Sequence, residues 1–89
     1  MSQRIGTKLF VSRLSFYTTQ QQLESLFSPF GVLTEATLIT DQNTQRPKGF
    51  GFVSYKSEIE AEKARKALNG RIVDGRLIFV EHAKPKDSS

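Results

Sequence analysis

Four phenylalanines and a few cations are the residues of this chain whose types and spacing could do chemistry. Phe50 and Phe52 stand two apart in the octamer Lys48-Gly49-Phe50-Gly51-Phe52-Val53-Ser54-Tyr55, and Phe10 and Phe79 sit in two other short β-rich runs. Residues two apart point to the same side of a strand, so Phe50 and Phe52 share one side while Val53 and Tyr55 share the other. Both sides of the octamer are then apolar, one more than a half-buried strand needs. Such rings offer stacking faces for flat π systems, and Lys8, Arg13, Lys48 and Lys84 offer positive charge beside them.

The parts of a catalytic site are missing. The chain has no cysteine, which excludes a thiolate nucleophile, a disulfide framework and a thiolate metal site. Its one histidine, His82, cannot build a metal site alone, and no serine or carboxylate is placed by sequence to make it a general base. No metal and no cofactor is expected, and His82 reads as a surface residue.

The elements that must position these side chains follow from local pattern. Lys8-Leu9-Phe10-Val11-Ser12 reads as a strand ending at Arg13-Leu14-Ser15. Thr19 and Gln22 make a capping box for a helix over about 20–28, with Leu23, Leu26 and Phe27 at helical spacing and Pro29 and Gly31 as stops. Val32 to Thr40 is a second strand, Ala36 and Leu38 on one side and Thr37 and Ile39 on the other. The polar run Asp41 to Pro47 turns the chain into the octamer as a third strand. Ser57 and Glu60 predict a second capping box, Ala61, Ala64, Ala67 and Leu68 an apolar helical stripe, and Asn69-Gly70 its end. Asp74-Gly75 is a tight turn before a last strand, Leu77 to Glu81. Phe16 and Tyr17 are expected to pack as a staple ahead of the first helix, and Leu23, Phe27 and Phe30 to be core.

The order β-α-β-β-α-β predicts an α+β chain, a ferredoxin-like βαββαβ sandwich: a four-stranded antiparallel sheet with two helices on one face. Leu9, Val11, Ala36, Leu38, Val53, Tyr55, Ile78 and Val80 can all face the helices at once, with Gly49 and Gly51 beside them to permit close helix approach. Phe10, Phe50, Phe52 and Phe79 are then left on the open face, with Lys48 beside them, Arg13 and Lys84 at strand ends, and Glu81 as a dissenting charge. The inverted register would expose Leu9, Val11, Val53 and Tyr55 instead. Five of the nine acids, Glu24, Glu58, Glu60, Glu62 and Asp87, fall on helices or the tail. Rings with a basic margin suit a platform for single-stranded nucleic acid, where bases stack on the rings and cations meet phosphates.

Length and charge are compatible with this. Eighty-nine residues make one domain, expected over 8–84 with flexible tails at 1–7 and 85–89. Thirteen basic residues against nine acidic ones give a net charge of +4, too small a surplus to establish a polyanion partner by itself. No apolar run approaches the ~20 residues of a membrane span, and the N-terminus is too short and polar for a secretory signal, so a soluble chain with no membrane partner is expected.

The octamer resembles that of the RNA recognition motif, or ribonucleoprotein domain, family at every constrained position, and Leu9-Phe10-Val11-Ser12-Arg13-Leu14 resembles the companion hexamer. The resemblance covers roughly residues 8–84. It implies a non-catalytic module for single-stranded RNA, or less selectively single-stranded DNA, serving RNA processing, editing or stability. Phe10 and Phe52 would each stack a base, Phe50 would pack against sugars and Lys48 would pair a phosphate, with Lys8, Arg13, Phe79, Glu81, His82 and Lys84 as further RNA-binding candidates. Arg13 departs from the Asn or Gly common at its position, and Gln45 stands where the loop often has Gly. The overall pattern is similar to plant glycine-rich and organellar RNA-binding proteins. A monomeric domain is expected, with protein partners in a ribonucleoprotein. The alternative on the same fold is a protein-interaction module that uses a helix face or the sheet to hold a peptide. A hydrolase on this scaffold would need a glycine-rich anion cradle after the first strand, and Leu14-Ser15-Phe16-Tyr17-Thr18-Thr19 has no glycine.

Overall fold

The computed structural model describes residues 6–83. Strand β1 (Lys8–Ser12) is followed by helix α1 (Gln20–Phe27), a 3-10 turn (Ser28–Phe30), strands β2 (Leu33–Thr40) and β3 (Pro47–Tyr55), helix α2 (Glu58–Leu68), a small hairpin of β4 (Ile72–Val73) and β5 (Arg76–Leu77), and strand β6 (Phe79–His82). The main sheet is antiparallel in the order β2-β3-β1-β6, the ferredoxin-like arrangement predicted by the element order. The hairpin β4–β5 was not anticipated: each strand is two residues long, too short to show alternation, and only the Asp74-Gly75 turn marks it in the sequence.

One cluster forms the core. Leu9 and Val11 of β1, Val53 and Tyr55 of β3, and Ile78 and Val80 meet Leu23 and Phe27 of α1 and Ala61, Ala64 and Leu68 of α2, all nearly inaccessible to solvent. Ala36, Leu38 and Phe30 are partly buried against it. Tyr55 reaches through the core to donate its hydroxyl to the Phe27 carbonyl at 2.6 Å, satisfying an orphan acceptor at the end of α1. Burial, reinforced by the Glu60 charge, pushes the Tyr55 phenol well above its usual range, so it stays a donor at any ordinary pH.

The helix caps repay a close look. Thr19 accepts from the Gln22 N–H at 3.1 Å and Gln22 Oε1 from the Thr19 N–H at 2.9 Å, a complete capping box. At α2 only half of the expected box forms. Ser57 Oγ accepts from the Glu60 N–H at 3.2 Å, but the Glu60 carboxylate accepts instead from the Val32 N–H, tying α2 to the entry of β2. Gly31 makes room for it, because a Cβ there would lie 2.4 Å from Glu60 Cδ. Ahead of α1, Phe16 and Tyr17 do not pack as the expected staple: they are 60% and 90% exposed. Thr18, the residue directly before the cap, takes the covered position, and Ser15 bends the chain by accepting from the Tyr17 and Thr18 N–H groups.

Two side chains finish the sheet's outer strands. Leu38 N–H donates to Gln20 Oε1 at 3.0 Å while Gln20 Nε2 donates to the Ala36 carbonyl, so the amide of α1 stands in for a neighbouring strand along the free edge of β2. At the opposite edge Asn69 Oδ1 accepts from the Val80 N–H at 2.9 Å, and Ile78 exchanges backbone bonds with Gly70 and Arg71, which is why the last strand begins at Phe79 rather than Leu77. Pairing extends to Thr7, whose carbonyl accepts from the Tyr55 N–H. Of the segments expected as tails, Gly6 and Thr7 are described and Thr7 joins the sheet, while residues 1–5 and 84–89 lie outside the described residues.

Gly51 is the tightest point of the sheet. A Cβ there would sit 2.6 Å from the Thr37 carbonyl oxygen and 3.3 Å from Leu23 Cδ2, so both β2 and α1 would have to move. Gly51→Ala is expected to lower the free energy of unfolding by about 2 kcal/mol, the usual cost of overpacking, in a chemical denaturation curve with unchanged slope. A midpoint equal to the wild type's would contradict tight packing at Gly51.

Candidate nucleic-acid interface

The strand registers set out the open face row by row. Thr37 of β2 stands opposite Phe52 of β3, Phe52 opposite Phe10 of β1, and Phe10 opposite Glu81 of β6. The neighbouring row runs Phe50, Ser12, Phe79. The Phe10 ring centroid lies 5.3 Å from that of Phe52 and 5.7 Å from that of Phe50, tilted by 52° and 48°. All four phenylalanines keep part of their surface in solvent although they belong to a sheet. Phe10, Phe50 and Phe52 touch one another through Phe10, and Phe79 stands across Ser12 from Phe50 on the same face, which neither helix covers.

Cations sit on the rings themselves. The Lys8 ammonium is 4.9 Å from the Phe52 centroid, and the Arg13 guanidinium carbon 5.6 Å from that of Phe79. Arg13 reaches there with a left-handed backbone, φ 64°, at the point where β1 ends. Lys48 is exposed at the start of β3. Strict alternation from Phe50 stops before it, because Gly49 takes φ 93° and the ladder with β2 slips between Leu38 opposite Gly51 and Thr40 opposite Pro47. Gln45 also takes a positive φ, 65°, held by its N–H to the Asp41 carbonyl at 2.7 Å.

Two residues correct the expected site. His82 stands opposite Leu9, on the helix side of the sheet, and its Nε2 meets Glu62 Oε1 of α2 at 2.6 Å. Alternation from Val80 was the signal in the sequence that places it there. His82 is therefore a clasp between β6 and α2 rather than part of the open face. Glu35 was not anticipated: its carboxylate accepts from Thr37 Oγ1 at 3.4 Å and from Ser54 Oγ at 3.5 Å, beside Phe52. With Glu81, the dissenting charge already expected there, it makes two carboxylates on the open face. Both can accept hydrogen bonds from exocyclic amino groups and repel phosphate. Lys84 lies outside the described residues.

On the helix side Glu62 also takes a bidentate pair from Arg65, at 3.0 and 2.7 Å. These hydrogen bonds, from Arg65 first and His82 second, hold its carboxyl down at about 2, well below the ordinary 4.5. Among the described residues no group of three or more His, Asp or Glu gathers as a metal site would require.

A family model described as RNA recognition motif matches residues 9–78. The chain is 46% identical over 84 residues to small RNA-binding protein 11, chloroplastic, of Arabidopsis thaliana, a match covering 94% of this chain and 58% of that protein. It is 48% identical over 80 residues to organelle RRM domain-containing protein 6, chloroplastic, of the same plant, covering 90% of this chain and 44% of the relative. The chain thus spans about half the length of these curated relatives. Among solved structures it is similar to a Sxl-lethal protein/RNA complex, with a TM-score of 0.88, 31% identity, and 94% of this chain and 50% of that one covered. A structure of RNA-binding protein PG1 matches with a TM-score of 0.86 and 30% identity, covering 92% of this chain and 99% of the other.

A depressed carboxyl pKa stabilises the fold above the unfolded value and ceases to do so as pH falls through the folded one. The contribution of Glu62 is therefore complete above about pH 4.5 and lost on the way down to about 2. Thermal unfolding of the wild type and Glu62→Gln should differ at neutral pH and converge across that acid window. A difference that persists unchanged below it would contradict the assignment.

Proposed function

Because the chain belongs to the RNA recognition motif family, we propose that it is a non-catalytic module that binds single-stranded RNA on the open face of its sheet, and single-stranded DNA less selectively. The observation that carries this is the cluster of Phe10 with the rings of Phe50 and Phe52 against it, all three partly exposed, on a face that neither helix covers. A patch of this kind is costly to leave in water unless it is used. Phe10 and Phe52 each stack a base, Phe50 packs on the sugars between them, and Lys8, Arg13 and Lys48 meet phosphates. Glu81 and Glu35 favour bases that present amino groups. In that role the module serves RNA processing, editing or stability.

Stacking is worth ~1–3 kcal/mol per base, part of which offsets the cost of association, so one domain binds short sites modestly. Phe52→Ala is expected to weaken binding of single-stranded RNA by about 1–3 kcal/mol in a calorimetric titration, with the unfolding temperature little changed. Loss of stability in place of affinity would mean that the ring serves the core. Lys48→Ala should weaken binding to unrelated sequences alike and make the salt dependence shallower, by about 0.7 in the log–log slope for one phosphate contact. An effect confined to one base position would assign Lys48 to base recognition instead. The platform as a whole is tested by following amide resonances of β1 and β3 during titration with a degenerate RNA pool. Shifts centred on Phe10, Phe50 and Phe52 are expected, and their absence in a folded sample would overturn the proposal.

A further inference from the structure

The exposed pair Phe16 and Tyr17 is not absorbed by the platform. The turn that presents it is well bonded, with Ser15 Oγ accepting from the Tyr17 N–H at 3.1 Å and the Ser15 carbonyl from the Thr18 N–H at 3.1 Å. The exposure is therefore built in. Phe16 and Tyr17 line a cleft of about 630 Å³ with Arg46 and Pro47, at the start of β3. The cleft adjoins the Phe50 end of the sheet, since a Cβ on Gly49 would lie 3.1 Å from Phe16 Cε1. The Leu14 N–H, two residues before Phe16, bonds the Gly49 carbonyl at 2.8 Å.

Positive charge lines the way between the two. The Arg76 guanidinium carbon is 5.8 Å from the Phe16 centroid, and Arg76 Nε donates to the Arg13 carbonyl at 3.4 Å. Arg13 in turn lies over Phe79 on the open face. Among the described residues none of Arg13, Arg46 and Arg76 has a carboxylate within ion-pair distance; the acid in every such pair is Glu62. Rings that continue past the last platform aromatic, edged by three uncompensated guanidiniums, suit a polyanion with flat substituents rather than an apolar peptide.

We propose that Phe16 and Tyr17, with Arg46 and Pro47, form a second base-binding cleft beyond the end of the sheet, which takes one unpaired nucleotide of an RNA strand leaving the platform past Phe50. Its base lies against the two rings, and its phosphate is met by Arg46 or Arg76. The proposal rests on the RNA-binding function above and lengthens its footprint.

The test compares labelled pools of degenerate single-stranded RNA roughly four and roughly eight nucleotides long by fluorescence anisotropy. The wild type should bind the longer pool more tightly. Phe16→Ala/Tyr17→Ala should lose about tenfold in affinity for the longer pool, as expected for one stacked base, and bind the shorter pool as the wild type does. Tyr17→Ala alone, at a residue 90% exposed, keeps the test open should the double variant fold poorly. A variant that keeps the full affinity for the longer pool overturns the second cleft and leaves the platform standing. A wild type that binds neither pool overturns both. Unchanged RNA affinity together with altered self-association in sedimentation would assign the rings to protein contact, which also overturns the proposal.

Discussion

The pairing of β1 with β3 is the constraint on which the rest of the molecule depends. It sets Phe10 opposite Phe52 and Leu9 opposite Val53, so one face of the two central strands is aromatic and the other aliphatic. A slip of one residue would carry every one of these side chains to the other face. The helices can cover only one face, and they take the aliphatic one, where Leu23 comes within van der Waals reach of Gly51. Once that choice is made, the aromatic face is the one neither helix covers.

The two sides of the sheet are then finished by different chemistry. Behind it, polar side chains act as clasps with defined partners: Gln20 on the edge of β2, Glu60 on the entry to β2, Asn69 on β6, and Glu62 between Arg65 and His82. In front, cations rest on rings with no carboxylate partner among the described residues, as Lys8 does on Phe52 and Arg13 on Phe79. A cation over a ring gives up little when an anion arrives, whereas a bonded clasp gives up a good deal. The front is accordingly the side with charge to spare for a partner, and the back is the side that maintains the geometry.

Much of this was legible before any fold was known. Alternation in the octamer and in Leu9 to Val11 separated ring-bearing from core-bearing positions, because side-chain direction in a strand has a period of two whatever surrounds it. Thr19 with Gln22 marked the start of α1 for a similar reason: a cap is a contact within four residues. The failures share a cause as well. Ser57 with Glu60 looks like the same box, yet the Glu60 carboxylate finds the Val32 N–H instead, 28 residues away in the chain. His82 was counted among the RNA-binding candidates through the family resemblance, although Val80 had already set the phase of its strand.

The sequence by itself determined the order of the two helices and the four sheet strands (though not the β4–β5 hairpin), the division of the sheet into a covered and an uncovered face, and the identity of the rings on the uncovered one. All three rest on interactions between near neighbours and on the period of the backbone. Only the tertiary structure decided that His82 belongs to Glu62, that Glu35 joins the open face beside Phe52, and that Phe16 and Tyr17 stand in solvent next to Arg46 and Pro47. Each of those depends on segments far apart in the chain being brought within a few ångströms. That proximity follows from the pairing of β2 and β1 with β3 and from packing α2 against the sheet, which no local pattern encodes.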